Sequence, residues 1–327
     1  MELTQVTIEQ LTRRLPGSPN KTVRGLAVAS LASEILIIVT GGAVRLTSSG
    51  LGCPTWPKCT PESLVATPEM GINGAIEFGN RLLTFLLAAI AFAMLVSVWK
   101  MAQRRKDLFY LSVALLAGIP AQAIIGGITV WTQLNPWVVG CHFVVSITMV
   151  AAATVLVHRA WLDNDQAGTV QQQRSTATVR QLLWASAVLT LVAIVLGVIV
   201  TGSGPHAGDA EAPRNNLDPD LMTRVHVAPV YLLVATAVVL LVMVHRHAQL
   251  SELRRPMVLF AVVILLQGAI GYVQHFTGLP IVLVGLHMLG AALLAAACTH
   301  VVYVGVTRQP LSVHGAHSTG QKQVHSS

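Results

Sequence analysis

Charge is what this chain has least of. Asp, Glu, Lys and Arg make up 11% of its 327 residues and hydrophobic residues 53%, whereas soluble domains carry about 25% charged residues. That shortage excludes a soluble enzyme or binding module and points to an integral membrane protein. The start of the chain also lacks the order of a cleaved signal peptide, a short basic region and then an apolar core of about 7 to 15 residues. Residues 1–23 are polar, and the first apolar run is long enough to stay in the membrane. A concentrated basic face is missing too, although the formal net charge is +7. Lys and Arg are instead distributed to alternate loops, beginning with Arg13, Arg14, Lys21 and Arg24 and then Lys100, Arg104, Arg105 and Lys106. Arg159, Arg174 and Arg180 follow, then Arg246, Arg254 and Arg255, with Arg308 and Lys322 near the end. This placement argues against a nucleic-acid partner and, by the positive-inside rule, puts both termini in the cytoplasm. The expected location is the plasma membrane.

What the chain has in quantity is apolar runs. A run of roughly 20 residues crosses a hydrocarbon core as a helix, and eight are legible, near 25–44, 76–98, 109–131, 137–157, 181–201, 222–244, 257–275 and 281–305. The expected fold is an all-α integral membrane protein with eight transmembrane helices, arranged as two pseudo-symmetric parallel four-helix bundles. The expected divisions are a cytoplasmic tail over 1–23, a first bundle over 24–160, a cytoplasmic linker over 161–180, a second bundle over 181–306 and a disordered cytoplasmic tail over 307–327. The last of these carries His314, His317 and His325, which read as solvated tail residues or as metal ligands.

A repeat supports the two-bundle reading. Gln122 to His142 overlays Gln267 to His287 without a gap, matching Gln122 with Gln267, Gly126 with Gly271, Gly140 with Gly285 and His142 with His287. Each copy is an apolar segment, a turn and a second apolar segment bearing one histidine near its start. An even number of spans per half gives both halves one orientation, as in parallel repeats. The Thr40-Gly41 exit of the first span is echoed by Thr201-Gly202 after the fifth.

Several polar residues stand where hydrocarbon makes them costly. Glu34 lies mid-span, where a carboxylate is a functional candidate or a packing residue kept neutral or hydrogen-bonded. Glu77 and Arg81 are one helical turn apart with Asn80 on nearly the same side, which suits an ion pair anchoring the helix or a cluster that meets a ligand. Between the first two spans, Cys53 and Cys59 enclose Pro54, Trp56 and Pro57. On an oxidising face such a pair closes a disulfide, structural or redox-active, and as a metal site it would supply only half a tetrahedral set. Cys141 and Cys298 lie in apolar runs and read as buried packing.

His142, His226 and His287 all lie a few residues below the same surface on even-numbered spans. His142 is about five residues, or about 7 to 8 Å, inside. Imidazole is a common axial ligand of haem iron, and haem sites form between facing helices of a bundle. His226 and His287, in one bundle at matching depth, suit the two sides of a flat macrocycle. Arg45, Arg81 and Arg224 are the cations available for its propionates.

Together, TGGAVRLTSSGLGCPTWPKC, the Glu77-Phe78-Gly79-Asn80-Arg81 segment, His142 after Gly126-Gly127, and the His226/His287 pair resemble the haem A synthase family. The likeness runs over roughly 25–305, and the combination is specific although each motif alone is weak. It implies a membrane-bound oxidoreductase that converts the C8 methyl group of haem O to a formyl group, through an alcohol and a hydrated aldehyde that loses water. The haem A it makes serves terminal oxidases. It implies axial ligation of a b-type haem by His226 and His287, docking of substrate haem O on His142, a catalytic role for Glu77 and a loop pair in Cys53 and Cys59. Haem O synthase and cytochrome oxidase assembly are the implied associates, with an electron donor the sequence does not name. The alternative is a di-haem b-type electron-transfer cytochrome. One departure stands out. Where the family's second span reads Glu-x-x-His-Arg, this chain has Asn80, so the substrate iron is expected to be held by His142 alone, with its distal side open or occupied by water near Asn80.

Overall fold

The computed structural model describes residues 15–162 and 176–307. The chain's ends, much of the linker, and His314, His317 and His325 lie outside the described residues. Among the described residues there is no β-strand, and eight helices are long and apolar enough to cross a membrane. They are α1 (Lys21–Leu46), α2 (Gly71–Val98), α3 (Lys106–Trp131), α4 (Pro136–Ala160), α5 (Ala177–Ser203), α6 (Pro219–Arg246), α7 (Arg254–Phe276) and α8 (Ile281–Val306). Each contains the corresponding apolar run almost entirely and extends past it at one or both ends. The extensions belong to polar caps that hydropathy does not register. Asn20 accepts from the Val23 N–H at 3.0 Å to start α1, and Asp218 accepts from Leu221 N–H at 2.6 Å to start α6. Asn135 caps α4, with Pro136 as its first residue. Such side chains satisfy backbone donors that have no intrahelical partner. Pro120 and Pro229 sit inside α3 and α6, which neighbouring helices in a membrane protein tolerate.

In the first half, α1, α2, α3 and α4 contact one another in a closed square, with α2 and α4 on one diagonal. In the second half α5 to α8 close in the same order, with α6 and α8 diagonal. The halves meet where α8 touches α1 and α4, and where α4 touches α5. Small residues allow these approaches, as expected where lipid provides no hydrophobic drive between helices. A methyl group on Gly140 of α4 would stand 2.6 Å from Val198 Cγ1 of α5, and one on Gly42 of α1 would stand 3.0 Å from Met288 of α8.

Each square is filled with apolar side chains mainly toward one end. In the first half the buried set is Val23 and Ala27 of α1, Leu87 to Val98 of α2, Leu108 to Ile119 of α3 and Met149 to Ala160 of α4. We call this the basic end, because Arg105 is fully buried there. Its guanidinium binds both carboxylate oxygens of Asp107 at 3.0 Å and donates to the carbonyls of Leu162 and Arg159 at 2.6 and 2.7 Å. Arg105 therefore closes the C-terminus of α4 as well as adding to the loop charge. The opposite end, carrying Cys53 and Cys59, holds the candidate site.

Candidate functional site

The repeated hairpin is a repeated contact. Gln122 on α3 donates through Nε2 to the carbonyl of His142 on α4 at 3.1 Å, and Gln267 on α7 does the same to His287 on α8 at 3.0 Å. Gly126 and Gly271 face the imidazoles. A methyl group added to either would meet the Cε1 of His142 at 3.5 Å or of His287 at 3.3 Å. The glutamine fixes the helix carbonyl at the histidine, and the glycine leaves room for its ring.

His226 on α6 is set differently. Its Nδ1 lies 2.9 Å from the Ala193 carbonyl, which fixes that nitrogen as the N–H and leaves Nε2 free to ligate. Gly197 faces this ring, its added methyl only 3.1 Å from Cε1. His226 and His287 lie on the diagonal helices α6 and α8 of the second half. In the first half the diagonal pair is Asn80 and His142. Gly41 faces Asn80 as Gly197 faces His226, with an added methyl 4.0 Å from Asn80 Nδ2. The counterpart of Gly41 is therefore Gly197, one turn before the Thr201-Gly202 echo. The Nδ1 atoms of His142 and His287 and the Oδ1 of Asn80 are buried and have no hydrogen-bond partner among the described residues. Two imidazoles on diagonal helices in the second half, and an imidazole diagonal to an amide in the first, each with a glycine beside it, are a donor set that a haem fits.

Cys53 and Cys59 form a disulfide, both fully buried. Their loop folds over the first half. The Trp56 indole lies on Gly127, where an added methyl would come within 2.4 Å of it, and packs edge-on to Trp131 at 5.3 Å. Trp131 Nε1 donates to the Trp56 carbonyl at 3.2 Å. Beneath the loop, Glu77 Oε2 accepts from the Cys53 N–H and Oε1 from Arg81 Nη2, each at 2.5 Å. Arg81 also donates to the carbonyls of Cys53 at 3.2 Å, Thr55 at 3.1 Å and Lys58 at 3.3 Å. The ion pair read from the spacing is present, and it fastens the loop.

The other arginines lie apart from this group. Arg45 donates to the carbonyls of His206 and, at 2.9 Å, Thr201, so it ties α1 to the loop after α5. Arg224 is exposed and makes no hydrogen bond or ion pair to the described residues. Glu34 is buried at 5% exposure. Cys141 is exposed and Cys298 buried, so packing inside the protein accounts for Cys298 but not for Cys141.

Residues 24–299 match the family COX15-CtaA, described as cytochrome oxidase assembly protein. The chain belongs to this family. Among curated relatives, a heme A synthase of Lysinibacillus sphaericus is 30% identical over 42% of this chain and 44% of its own length. One from Exiguobacterium sibiricum is 26% identical over 52% and 56%. One from Bacillus mycoides is 20% identical over 92% and 98%. The chain thus spans about half the length of the first of these relatives and nearly all of the last. COX15-CtaA membership covers both halves and both histidine-bearing hairpins. Sequence reading missed the seating of Trp56 on Gly127, for which the only signal was a glycine in the first hairpin where the second has Tyr272. It also missed a pair at the basic end, where His300 Nδ1 lies 2.8 Å from His158 Nε2 and both rings stack, joining α8 to α4.

Proposed function

We propose that the chain is a haem A synthase, oxidising the C8 methyl group of haem O to a formyl group in the plasma membrane, with both termini cytoplasmic. The observation that carries this reading is the repeated histidine site of a COX15-CtaA chain, with His226 diagonal to His287 in the second half and His142 diagonal to Asn80 in the first; the inequality of the two diagonals supports the division of labour between the halves. In the domain terms of the sequence, 181–306 holds a resident b-type haem and 24–160 receives the substrate.

His226 and His287 would hold a b-type haem, which when bound would supply one-electron transfer to the first half. The Ala193 carbonyl orients the His226 ring, and the Gln267 bond holds the α8 backbone at His287. In the first half His142 takes the substrate iron on one side, and Asn80 presents an uncharged amide on the other. Trp56 and the disulfide loop exclude water from above. Glu77, through its bonds to Cys53 and Arg81, holds that loop closed and is the buried carboxylate beneath it that can exchange a proton with the site. Arg224 is the cation free to meet a propionate, whereas Arg45 and Arg81, the other two cations expected there, are engaged in holding their loops. Haem O synthase is the natural supplier of the substrate and oxidase assembly the consumer of the product.

The test is haem extraction from the purified protein, produced with and without a haem O supply. With haem O, the extract contains haem A or a hydroxylated intermediate beside haem b. An extract of haem b alone under both conditions would identify an electron carrier and refute the proposal.

A further inference from the structure

Glu34 is assigned no part in the site described above, yet the fold places it with care. On α1, Val23 and Ala27 belong to the apolar core of the first half, packed with residues of α2, α3 and α4. Gly41, near the other end of the helix, faces Asn80. At 3.6 residues per turn, Val23, Ala27, Glu34 and Gly41 fall on one stripe of α1. Glu34 therefore faces the interior of the first square, where the apolar fill stops and the site begins. It lies seven residues below Gly41, about 10 Å deeper at 1.5 Å per residue. Its side chain is buried, and it makes no hydrogen bond or ion pair to the described residues. A buried carboxyl without a partner is costly, and a polar group on a ligand would relieve that cost.

We infer that Glu34 is the specificity residue of the first half, accepting a hydrogen bond from a hydroxyl on the inner edge of the bound macrocycle. This rests on the haem A synthase reading, in which propionates point to the disulfide end and the opposite edge faces down the square. Haem O carries a hydroxyl on its prenylated side chain at that edge, and haem b has a vinyl group there. A carboxyl accepts through either oxygen, whereas a vinyl group leaves it buried and unpaired. Discrimination comes from that unpaired state, since a site built around a hydroxyl rejects the analogue lacking it. The second half differs at this level. Pairing Gly41 with Gly197 puts Thr190 opposite Glu34, a buried hydroxyl that also lacks a partner among the described residues, so the carboxyl, though not the unpaired polar group, is confined to the half assigned to substrate.

The experiment titrates the purified full-length chain, its second half already filled with haem b, with haem O or haem b, and follows His142-dependent absorbance. His142→Ala defines the background. Wild type binds haem O more tightly than haem b at this site, by roughly ten- to hundredfold for one buried hydrogen bond. Glu34→Leu loses that preference by weakening haem O alone, while the His226/His287 spectrum is unchanged. Glu34→Gln keeps a carbonyl acceptor and part of the preference. Equal losses for both haems, or an unchanged preference in Glu34→Leu, would overturn the assignment. Absence of any His142-dependent haem O binding in wild type would overturn it together with the substrate reading.

Discussion

Replacing Gly127 with alanine tests whether the disulfide loop is a lid seated on α3. The new methyl would lie 2.4 to 2.7 Å from three atoms of the Trp56 ring, against about 3.5 to 4.0 Å for carbon atoms in contact. The indole must retreat by about 1 Å, and it cannot tilt freely. Trp131 holds the Trp56 carbonyl by its indole N–H and the ring by an edge contact, while Arg81 and Glu77 hold the loop on either side. Overpacking costs about 1 to 3 kcal/mol and partial loss of an aromatic pair about 0.5 to 1.5 kcal/mol. Roughly 2 to 4 kcal/mol is therefore taken from the closed loop, which raises its open population about 30- to 1000-fold. Cys53 and Cys59 are fully buried when the loop is closed, so a soluble thiol reductant reaches them only on opening. Where closing outpaces attack, the reduction rate tracks that population. Gly127→Ala should accelerate reduction by at least tens-fold. Gly118→Ala is the control, since its methyl meets the end of Met149 at 2.7 Å, a side chain that can move aside. A Gly127→Ala rate within about twofold of wild type would refute the lid and the role given to Glu77 in holding it.

Three further outcomes follow. Asn80→His should convert the first-half haem from high-spin to low-spin in electron paramagnetic resonance, because the Gly41 methyl position leaves 4.0 Å beside Asn80 where a ring could sit; an unchanged spectrum would mean that Asn80 does not face the iron. His226→Ala should abolish the low-spin b-type absorbance, and retention of the full spectrum would remove this ligand. Glu77→Gln keeps an oxygen for the Cys53 N–H but loses the charge paired with Arg81 and the carboxylate proposed to exchange a proton, so haem A production should fall by tenfold or more; a normal rate would remove Glu77 from the mechanism.

The parts of this structure legible in sequence depend on neighbours along the chain. Eight apolar runs foretold eight helices, and Glu77 with Arg81 foretold an ion pair, because helical period and hydrophobicity are local. The repeat marked Gln122, Gly126 and His142 as a unit without saying why. Only packing shows that the glutamine binds the histidine carbonyl and the glycine clears its ring. Contacts between distant segments left no such trace. Trp56 meets Gly127, Arg105 reaches Leu162 and His158 meets His300 through loops and facing helices that no periodicity encodes. The echo of Thr40-Gly41 in Thr201-Gly202 shows the opposite hazard. Two similar exits suggested one register, but the glycines that face Asn80 and His226 set another.

That register sharpens the comparison of the halves. They share a frame, with a glutamine on the histidine carbonyl and a glycine against each ring, and they differ at three aligned places. Where the second half has His226, Tyr272 and Thr190, the first has Asn80, Gly127 and Glu34. Tyr272 meets Tyr231 hydroxyl to hydroxyl across the α6–α7 seam, whereas Gly127 is bare and takes Trp56. Under the proposed function each difference has one direction. A resident haem benefits from two protein ligands and a side-chain contact that joins its helices. A substrate must enter, be told from its precursor and leave as product, which suits a loop that lifts and a group that reads the difference. Asn80, standing where the family has a histidine, adds to this under the same proposal: with His142 as the single protein ligand, this chain would hold its product less firmly than a relative with two.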